Sequence, residues 1–120
     1  MIYNMAKTAK LRLLNAIEAI ASINSFIGSL PLEDFLANEM VQAAVLFKLR
    51  VVGEALNKAV ELDDSLREAI PDLGKIIGMR NRIVHVYDQI DFEILWDAIH
   101  SDLPDLKIRL ENYLAEGESV

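Results

Sequence analysis

Apolar residues recur at three- and four-residue steps along most of this chain, the spacing of an α-helix with one buried side. In a first helix, expected over residues 5–28, the apolar stripe consists of Leu11, Leu14, Ile17, Ala21 and Phe26. In a second helix, expected from residue 38 to about residue 61, it consists of Val41, Val45, Leu49, Val52, Leu56 and Val60. The strand-like run from Arg82 to Tyr87 is short and isolated, so the pattern predicts helices and no sheet.

Capping and helix-breaking residues divide the pattern into further elements. Gly28 to Pro31 end the first helix, Leu32 to Leu36 form a short helical turn, and Asn38 caps the second helix. Asp63–Ser65 offer caps for a short helix that Pro71 limits, and Asp72 caps a helix that continues through Val86. Asp91 caps a helix that ends at about Ile99, and Asp102 and Pro104 begin the last helix. Residues 1–120 are therefore expected to form one all-α domain, an up-and-down bundle of four to five helices with a frayed tail at 115–120.

The second helix is also apolar outside its main stripe. The additional apolar positions are Ala43, Ala44, Leu46, Phe47 and Val51. One intramolecular face does not need this much hydrophobic surface, and an interface with a second copy is the simplest use for the remainder. We therefore expect a homodimer.

Composition narrows the class of protein. Hydrophobic residues make up 52% of the 120 residues, too many for a disordered chain. There is no cysteine, hence no disulfide framework and no thiolate metal site, which fits a cytoplasmic protein. No signal peptide is evident, and the longest apolar-rich stretch, residues 19–32, is too short and too polar to span a bilayer.

The formal net charge of −7 argues against non-specific coating of nucleic acid, because such binding depends on many basic residues. Local charge differs from this average. Between Leu73 and Tyr87 there are three basic residues and no acid, and a second stretch with basic residues only contains Lys7, Lys10 and Arg12. These stretches form either a local positive patch or scattered solvated charge.

The run 78–87 combines residue types suited to phosphodiester chemistry. Arg80 can hold a phosphate through the planar donors of its guanidinium group, and His85 can move a proton near neutral pH. Tyr87 completes the pattern Arg-x-x-x-x-His-x-Tyr. At about 100° per residue, Arg80 and His85 lie about 140° apart on one helix. Either the helix ends near the motif, or Arg80 reaches round it, or two chains share one site, which a two-fold axis would allow.

Structural interpretations of the same residues stay open. His85 can be a buried histidine satisfied by Asn81, and Arg80 and Arg82 can pair with nearby acids. Glu54, after Gly53 on an apolar helix, is a candidate buried acid that pairs with an arginine of the motif. The other histidine, His100, stands near two aspartates, which is too few for a metal site.

The motif and its flanks resemble the HepT-like toxins of the HEPN superfamily. The similarity rests on residues 78–87, on Val52-Gly53-Glu54-Ala55 before them, and on Ile90 to Trp96 and Asp102-Leu103-Pro104 after them, within residues 11–112. The resemblance implies an all-helical homodimer that cleaves RNA without a metal or other cofactor. It assigns catalysis to Arg80 and His85 in a cleft at the dimer interface, with Asn81 and Arg82 in support.

The resemblance also implies a partner. HepT-like toxins are usually encoded beside a minimal nucleotidyltransferase antitoxin (MntA-like), which can transfer AMP from ATP to the motif tyrosine, here Tyr87. Two hypotheses follow for this chain. It is an RNA-cleaving toxin neutralised by AMPylation, or it is a non-catalytic helical subunit or substrate of such a nucleotidyltransferase. A third interpretation is a structural helical dimer in which the motif only packs.

Overall fold

A computed structural model describes residues 2–71, 73–85 and 91–118, with side chains for residues 8–71, 73–79 and 91–116. Within these residues the chain forms helices and no strand, which confirms the predicted all-α class. The helices are α1 (Ile2–Ile27), α2 (Leu32–Leu36), α3 (Glu39–Leu62), α4 (Leu66–Ala69), α5 (Leu73–His85), α6 (Phe92–His100) and α7 (Asp102–Glu118). Since α2 and α4 have only five and four residues, the five longer helices correspond to the predicted bundle.

The two longest helices, α1 and α3, pack along each other at the centre of the bundle. The connection between them, residues 28–38, contains the compact helix α2 and is therefore too short to reach the far end of a helix of about 36 Å, so the pair is antiparallel. The turn begins at Gly28, whose φ of 52° lies in the left-handed region that favours glycine. Its N–H donates to the carbonyl of Asn24 at 2.9 Å and closes the end of α1.

The remaining helices surround this pair. α7 packs beside α1, α6 contacts both α7 and α2, and α5 packs against α3. Leu66, Ile70 and Leu73 are buried in the connection from α3 to α5, so this connection is compact. α5 therefore starts near the carboxyl end of α3 and runs back along it, at the edge of the bundle.

The apolar stripes are predicted correctly for α3 and wrongly for α1. On α3, Val41 is half-buried and the five later positions of the stripe are buried. On α1, however, Leu11, Leu14 and Phe26 are 52%, 44% and 40% exposed. The residues of α1 that enter the core are Leu13, Ala16, Ala19, Ile20, Ile23 and Ile27. Because α1 carries apolar residues on more than one side, its periodicity did not determine which side is buried.

Two predicted helix caps are confirmed. Asn38 Oδ1 accepts a hydrogen bond from the N–H of Val41 at 3.0 Å. Asp91 Oδ1 accepts from the N–H groups of Glu93 and Ile94 at 2.9 and 3.2 Å. Each cap satisfies backbone donors that the first turn of a helix leaves without partners.

The other predicted boundaries differ in detail. Ser65 precedes α4, but its hydroxyl donates to Asp63 Oδ1 at 2.6 Å and does not cap the helix. Asp72, the predicted start of the next helix, lies outside the described residues. The last helix begins at Asp102 as predicted and continues to Glu118, into the segment 115–120 for which fraying was expected.

Candidate active site

The predicted site residues lie on the last turns of α5, at the edge of the bundle. Arg80, Asn81, Arg82 and His85 occupy helical backbone positions, and Tyr87 lies outside the described residues. Because α5 extends through His85, the helix does not end between the arginine and the histidine. Their angular separation of about 140° therefore applies to this helix, together with a rise of about 7.5 Å along its axis.

The first two turns of α5 define which of its sides faces the core. Leu73 and Ile76 are buried, whereas Gly74, Lys75 and Gly78 are exposed. A residue placed seven positions later returns to within about 20° of the same side. The position of Arg80 therefore follows the buried Leu73, on the side that packs against α3.

The other motif positions follow the outer side of α5. His85 comes seven residues after Gly78, and Arg82 seven residues after Lys75, so both positions continue the exposed side. Asn81 precedes His85 by four residues, which makes these two positions neighbours on the helix surface. One copy of α5 thus distributes the arginine and histidine positions between its inner and outer sides.

The positive charge that the sequence places on α5 is partly neutralised in the structure. Lys75, one of the three basic residues between Leu73 and Tyr87, forms an ion pair with Asp102 of α7, with 3.0 Å between Nζ and Oδ2. Lys75 is 63% exposed and Asp102 30%, so the pair lies at the surface. The fold thus brings an acid from 27 positions later to a stretch that contains none of its own.

Glu54 does not form the buried acid that its apolar surroundings predicted. Its side chain is 36% exposed, and its Oε1 accepts from Nε of Arg50 at 3.1 Å, one helical turn earlier on α3. The prediction that Glu54 is buried is therefore wrong. Glycine at position 53 is itself buried, but the following position lies at the border between the core and the surface of α3.

His100 has a structural role at the end of α6. Its Nδ1–H donates to the carbonyl oxygen of Trp96 at 2.8 Å, and the two rings lie 4.2 Å apart between centroids. Trp96 in turn contacts the buried Phe35 ring at 5.2 Å. Among the described residues, no three histidine or acidic side chains come together as possible metal ligands.

One feature of the surface was missed by the sequence reasoning. A groove of about 320 Å³ lies between α1 and α3, and Arg12 of the second basic stretch lines it together with Lys48 and Lys58. The two lysines stand ten residues apart on α3 and far from Arg12 in the sequence. Only the packing of α1 on α3 places the three on one groove, so no local pattern signals it.

Comparisons with known proteins relate this chain to ribonucleases. The family model described as "Ribonuclease HepT-like" matches residues 16–113. A protein of Thermococcus cleftensis named "Probable ribonuclease HepT" is 33% identical over 94 residues, covering 78% of this chain and 84% of its own length. A candidate RNase of Methanocaldococcus jannaschii is 27% identical over 107 residues, covering 88% and 95% of the two chains. No solved structure matches the chain.

The fold and the motif together define a small all-helical protein of the HEPN ribonuclease type. The match over residues 16–113 and the 33% identity to the Thermococcus protein show that the chain belongs to the HepT-like ribonuclease family. The resemblance inferred from residues 78–87 and their flanks is confirmed, and so is the assignment to a family of ribonucleases. None of the helices in the described part of the chain is long and apolar enough to cross a membrane.

Proposed function

We propose that the protein is a metal-independent endoribonuclease that acts as the toxin of a cytoplasmic toxin–antitoxin pair. Its reaction centre combines Arg80 and His85 at the interface of a homodimer, with Asn81 and Arg82 in support. The observation that carries the proposal is the occurrence of Arg-x-x-x-x-His-x-Tyr on α5 of a chain that belongs to a ribonuclease family.

The reaction needs no group that the motif does not supply. Histidine takes the proton from a 2′-hydroxyl of RNA as its oxygen attacks the adjacent phosphorus. A new bond from the 2′-oxygen to phosphorus forms and the bond to the 5′-oxygen breaks. A second proton donor, the histidine of the other chain, protonates the departing 5′-oxygen. Arg80 stabilises the negative charge that builds on the phosphoryl oxygens in the transition state.

The angle between the motif positions supports a site shared by two chains. On one α5 the positions of Arg80 and His85 differ by about 140°, and a site shared by two chains removes the need for Arg80 to reach round the helix. A two-fold axis beside α5 would bring two copies of the motif together and double the set of functional groups.

An apolar surface on α3 supports the same dimer. Met40, Ala43 and Phe47 follow one another at three- and four-residue steps on one side of this helix, and all three are exposed. Met40 is 82% and Phe47 59% exposed, although each side chain is large and apolar. Contact with a second copy would remove this surface from water, and α5, which carries the motif, packs beside the same helix.

Control of the toxin rests on Tyr87. We propose that its hydroxyl oxygen attacks the α-phosphorus of ATP on a nucleotidyltransferase antitoxin, forming a tyrosine–AMP ester and releasing pyrophosphate. Tyr87 stands two residues after His85, so the added nucleotide places bulk and negative charge beside the reaction centre. Both effects oppose the binding of RNA.

The decisive experiment compares the two histidines of this chain. Purified wild type is expected to cleave RNA in EDTA, and His85→Ala to lose roughly 100-fold or more of that activity, as for a general acid or base. His100→Ala is the matched control, because His100 lies on α6 and contacts Trp96. Equal cleavage by wild type and a folded His85→Ala protein would overturn the proposal. RNA left intact by every form, with Tyr87 still AMPylated, would favour the non-catalytic subunit.

A separate experiment tests whether the reaction centre is shared by two chains. The double variant Arg80→Ala/His85→Ala is expected to be inactive. Refolded in excess with wild type, it forms mixed dimers whose intact arginine and histidine both come from the wild-type chain. Activity per wild-type chain that falls towards zero supports a site shared by two chains, and activity per wild-type chain that stays constant places each site on one chain.

A further inference from the structure

The basic residues whose side chains the structure describes fall into two groups. On α3, α4, α5 and α7, ion pairs join Arg50 to Glu54, Arg67 to Asp64, Lys75 to Asp102 and Lys107 to Glu111. Arg109 also interacts with a neighbouring group. Among the residues with described side chains, the basic residues without an acidic partner within ion-pair distance are Lys10, Arg12, Lys48 and Lys58.

Three of these four line the groove between α1 and α3. Arg12 lies on the α1 wall, and Lys48 and Lys58 on the α3 wall. The groove also contains two acids, Glu18 and Glu54, of which Glu54 is engaged by Arg50. Three cations against two acids give this groove a positive balance on a chain whose net charge is −7.

We propose that this groove binds the phosphodiester backbone of single-stranded RNA and holds the substrate next to the reaction centre. The inference rests on the proposed function and assigns it a substrate-positioning surface. Lys48 and Lys58 are ten residues apart, which is about 15 Å along α3. At about 3.4 Å per phosphate of a stacked strand, this length matches roughly four phosphates.

The chemistry of the lining favours a nucleic acid strand over other occupants. Asn15 and Ser22 add hydrogen-bonding groups to the three cations, and apolar side chains are few. A nucleic acid duplex is too bulky to enter a groove of about 320 Å³. Positive grooves that follow a flexible backbone are typical of proteins that bind single strands.

The groove is compatible with both the dimer and the reaction centre. The apolar surface proposed for the dimer spans residues 40–47 of α3, whereas the groove follows residues 48–58. α5 packs on α3 as well, so the groove and the motif helix adjoin the same helix. A strand of a few nucleotides can pass across a helix, which is about 10–12 Å wide with its side chains. The groove residues thus position the substrate and take no part in the chemical step.

Binding is tested with RNA that cannot react. The probe is a fluorescent 2′-O-methyl RNA of roughly 12 nucleotides, which lacks the nucleophile. The groove variant combines Arg12→Gln, Lys48→Gln and Lys58→Gln. The matched control combines Arg67→Gln, Lys107→Gln and Arg109→Gln, which removes the same charge from α4 and α7. Fluorescence anisotropy across about 50–200 mM salt gives the affinity and its salt dependence.

The expected result is a smaller salt dependence for the groove variant only. Each phosphate contact on a single strand contributes about 0.7 to the slope of log affinity against log salt, so three lost contacts lower the slope by about 2. The ratio of the wild-type affinity to the variant affinity then falls by roughly 20-fold as the salt concentration rises from about 50 to 200 mM. The charge-matched control is expected to follow wild type.

Cleavage of unmodified RNA separates positioning from chemistry. The groove variant is expected to show a higher KM on the long RNA with kcat near that of wild type, and unchanged cleavage of a dinucleotide too short to reach the groove. If the groove variant bound the RNA probe with the affinity and salt slope of wild type, the inference would be overturned. The same would hold if that variant kept its RNA binding and lost binding to a protein partner instead. The proposed function would still stand if His85→Ala abolished cleavage. If the groove variant lost RNA binding and wild type did not cleave RNA either, the groove would be supported as an RNA-binding site. The proposed reaction would then be overturned.

Discussion

Ile76 holds the motif helix α5 against the core, and its replacement tests that attachment directly. The side chain is 1% exposed and lies on the side of α5 that packs against α3. Ile76→Ala removes three carbon atoms at about 0.8 kcal/mol each, or roughly 2.4 kcal/mol of transfer free energy. The cavity left behind adds to this, so the free energy of unfolding should fall by about 3–4 kcal/mol.

The matched control deletes the same atoms at the surface. Ile94, on α6, is 59% exposed, so Ile94→Ala should change the free energy of unfolding by less than about 0.5 kcal/mol. Equilibrium urea denaturation followed by circular dichroism measures both values, with the m-value as a check on two-state behaviour. Equal losses at the two positions would refute the placement of Ile76 in the core. Lost ribonuclease activity with unchanged global stability would show instead that α5 opens as a separate unit.

Two further predictions concern a helix cap and a tyrosine. Asn38→Ala removes the acceptor for the N–H of Val41 and should lower the free energy of unfolding, measured by urea denaturation, by about 1 kcal/mol. The control Asn24→Ala, within α1, should lower it little, and equal effects of the two changes would contradict the cap. Burial, and secondarily the charge of Asp63, raise the pKa of Tyr113 above its usual 10.0. The unfolded chain then releases this proton first, so stability is unaffected below about pH 10 and falls as pH rises above it. Tyr113→Phe should lessen the loss of urea resistance between about pH 8 and pH 11, and an identical loss in both proteins would refute this.

The predictions that succeeded depend on local chemistry. Asn38 and Asp91 cap their helices because an acceptor side chain at the first turn needs only its own backbone neighbours. The stripe on α3 was predictable because it recurs at three- and four-residue steps from Val41 to Val60, although apolar residues also lie outside it. The motif on α5 was recognisable for a similar reason, since Arg80 to Tyr87 lie within eight positions of each other.

The predictions that failed depend on contacts between distant parts of the chain. Leu11 and Leu14 are as apolar as Leu13, and only the placement of α3 and α7 beside α1 determines which of them is buried. Glu54 has apolar neighbours in the sequence, but its side chain is 36% exposed and pairs with Arg50 on the same helix. The stretch around Lys75 contains no acid, and Asp102 reaches it only because α7 begins beside α5.

By itself the sequence determined the helical class, most helix boundaries, the family and the residues on which the proposed chemistry depends. All of these follow from spacings of a few residues, over which backbone geometry and side-chain type act directly. Only the tertiary structure decided which side of α1 is buried, which basic residues are neutralised, and that Arg12, Lys48 and Lys58 share one groove. These depend on how helices pack on one another, because charge pairing and burial act between groups that are close in space, whatever their separation along the chain.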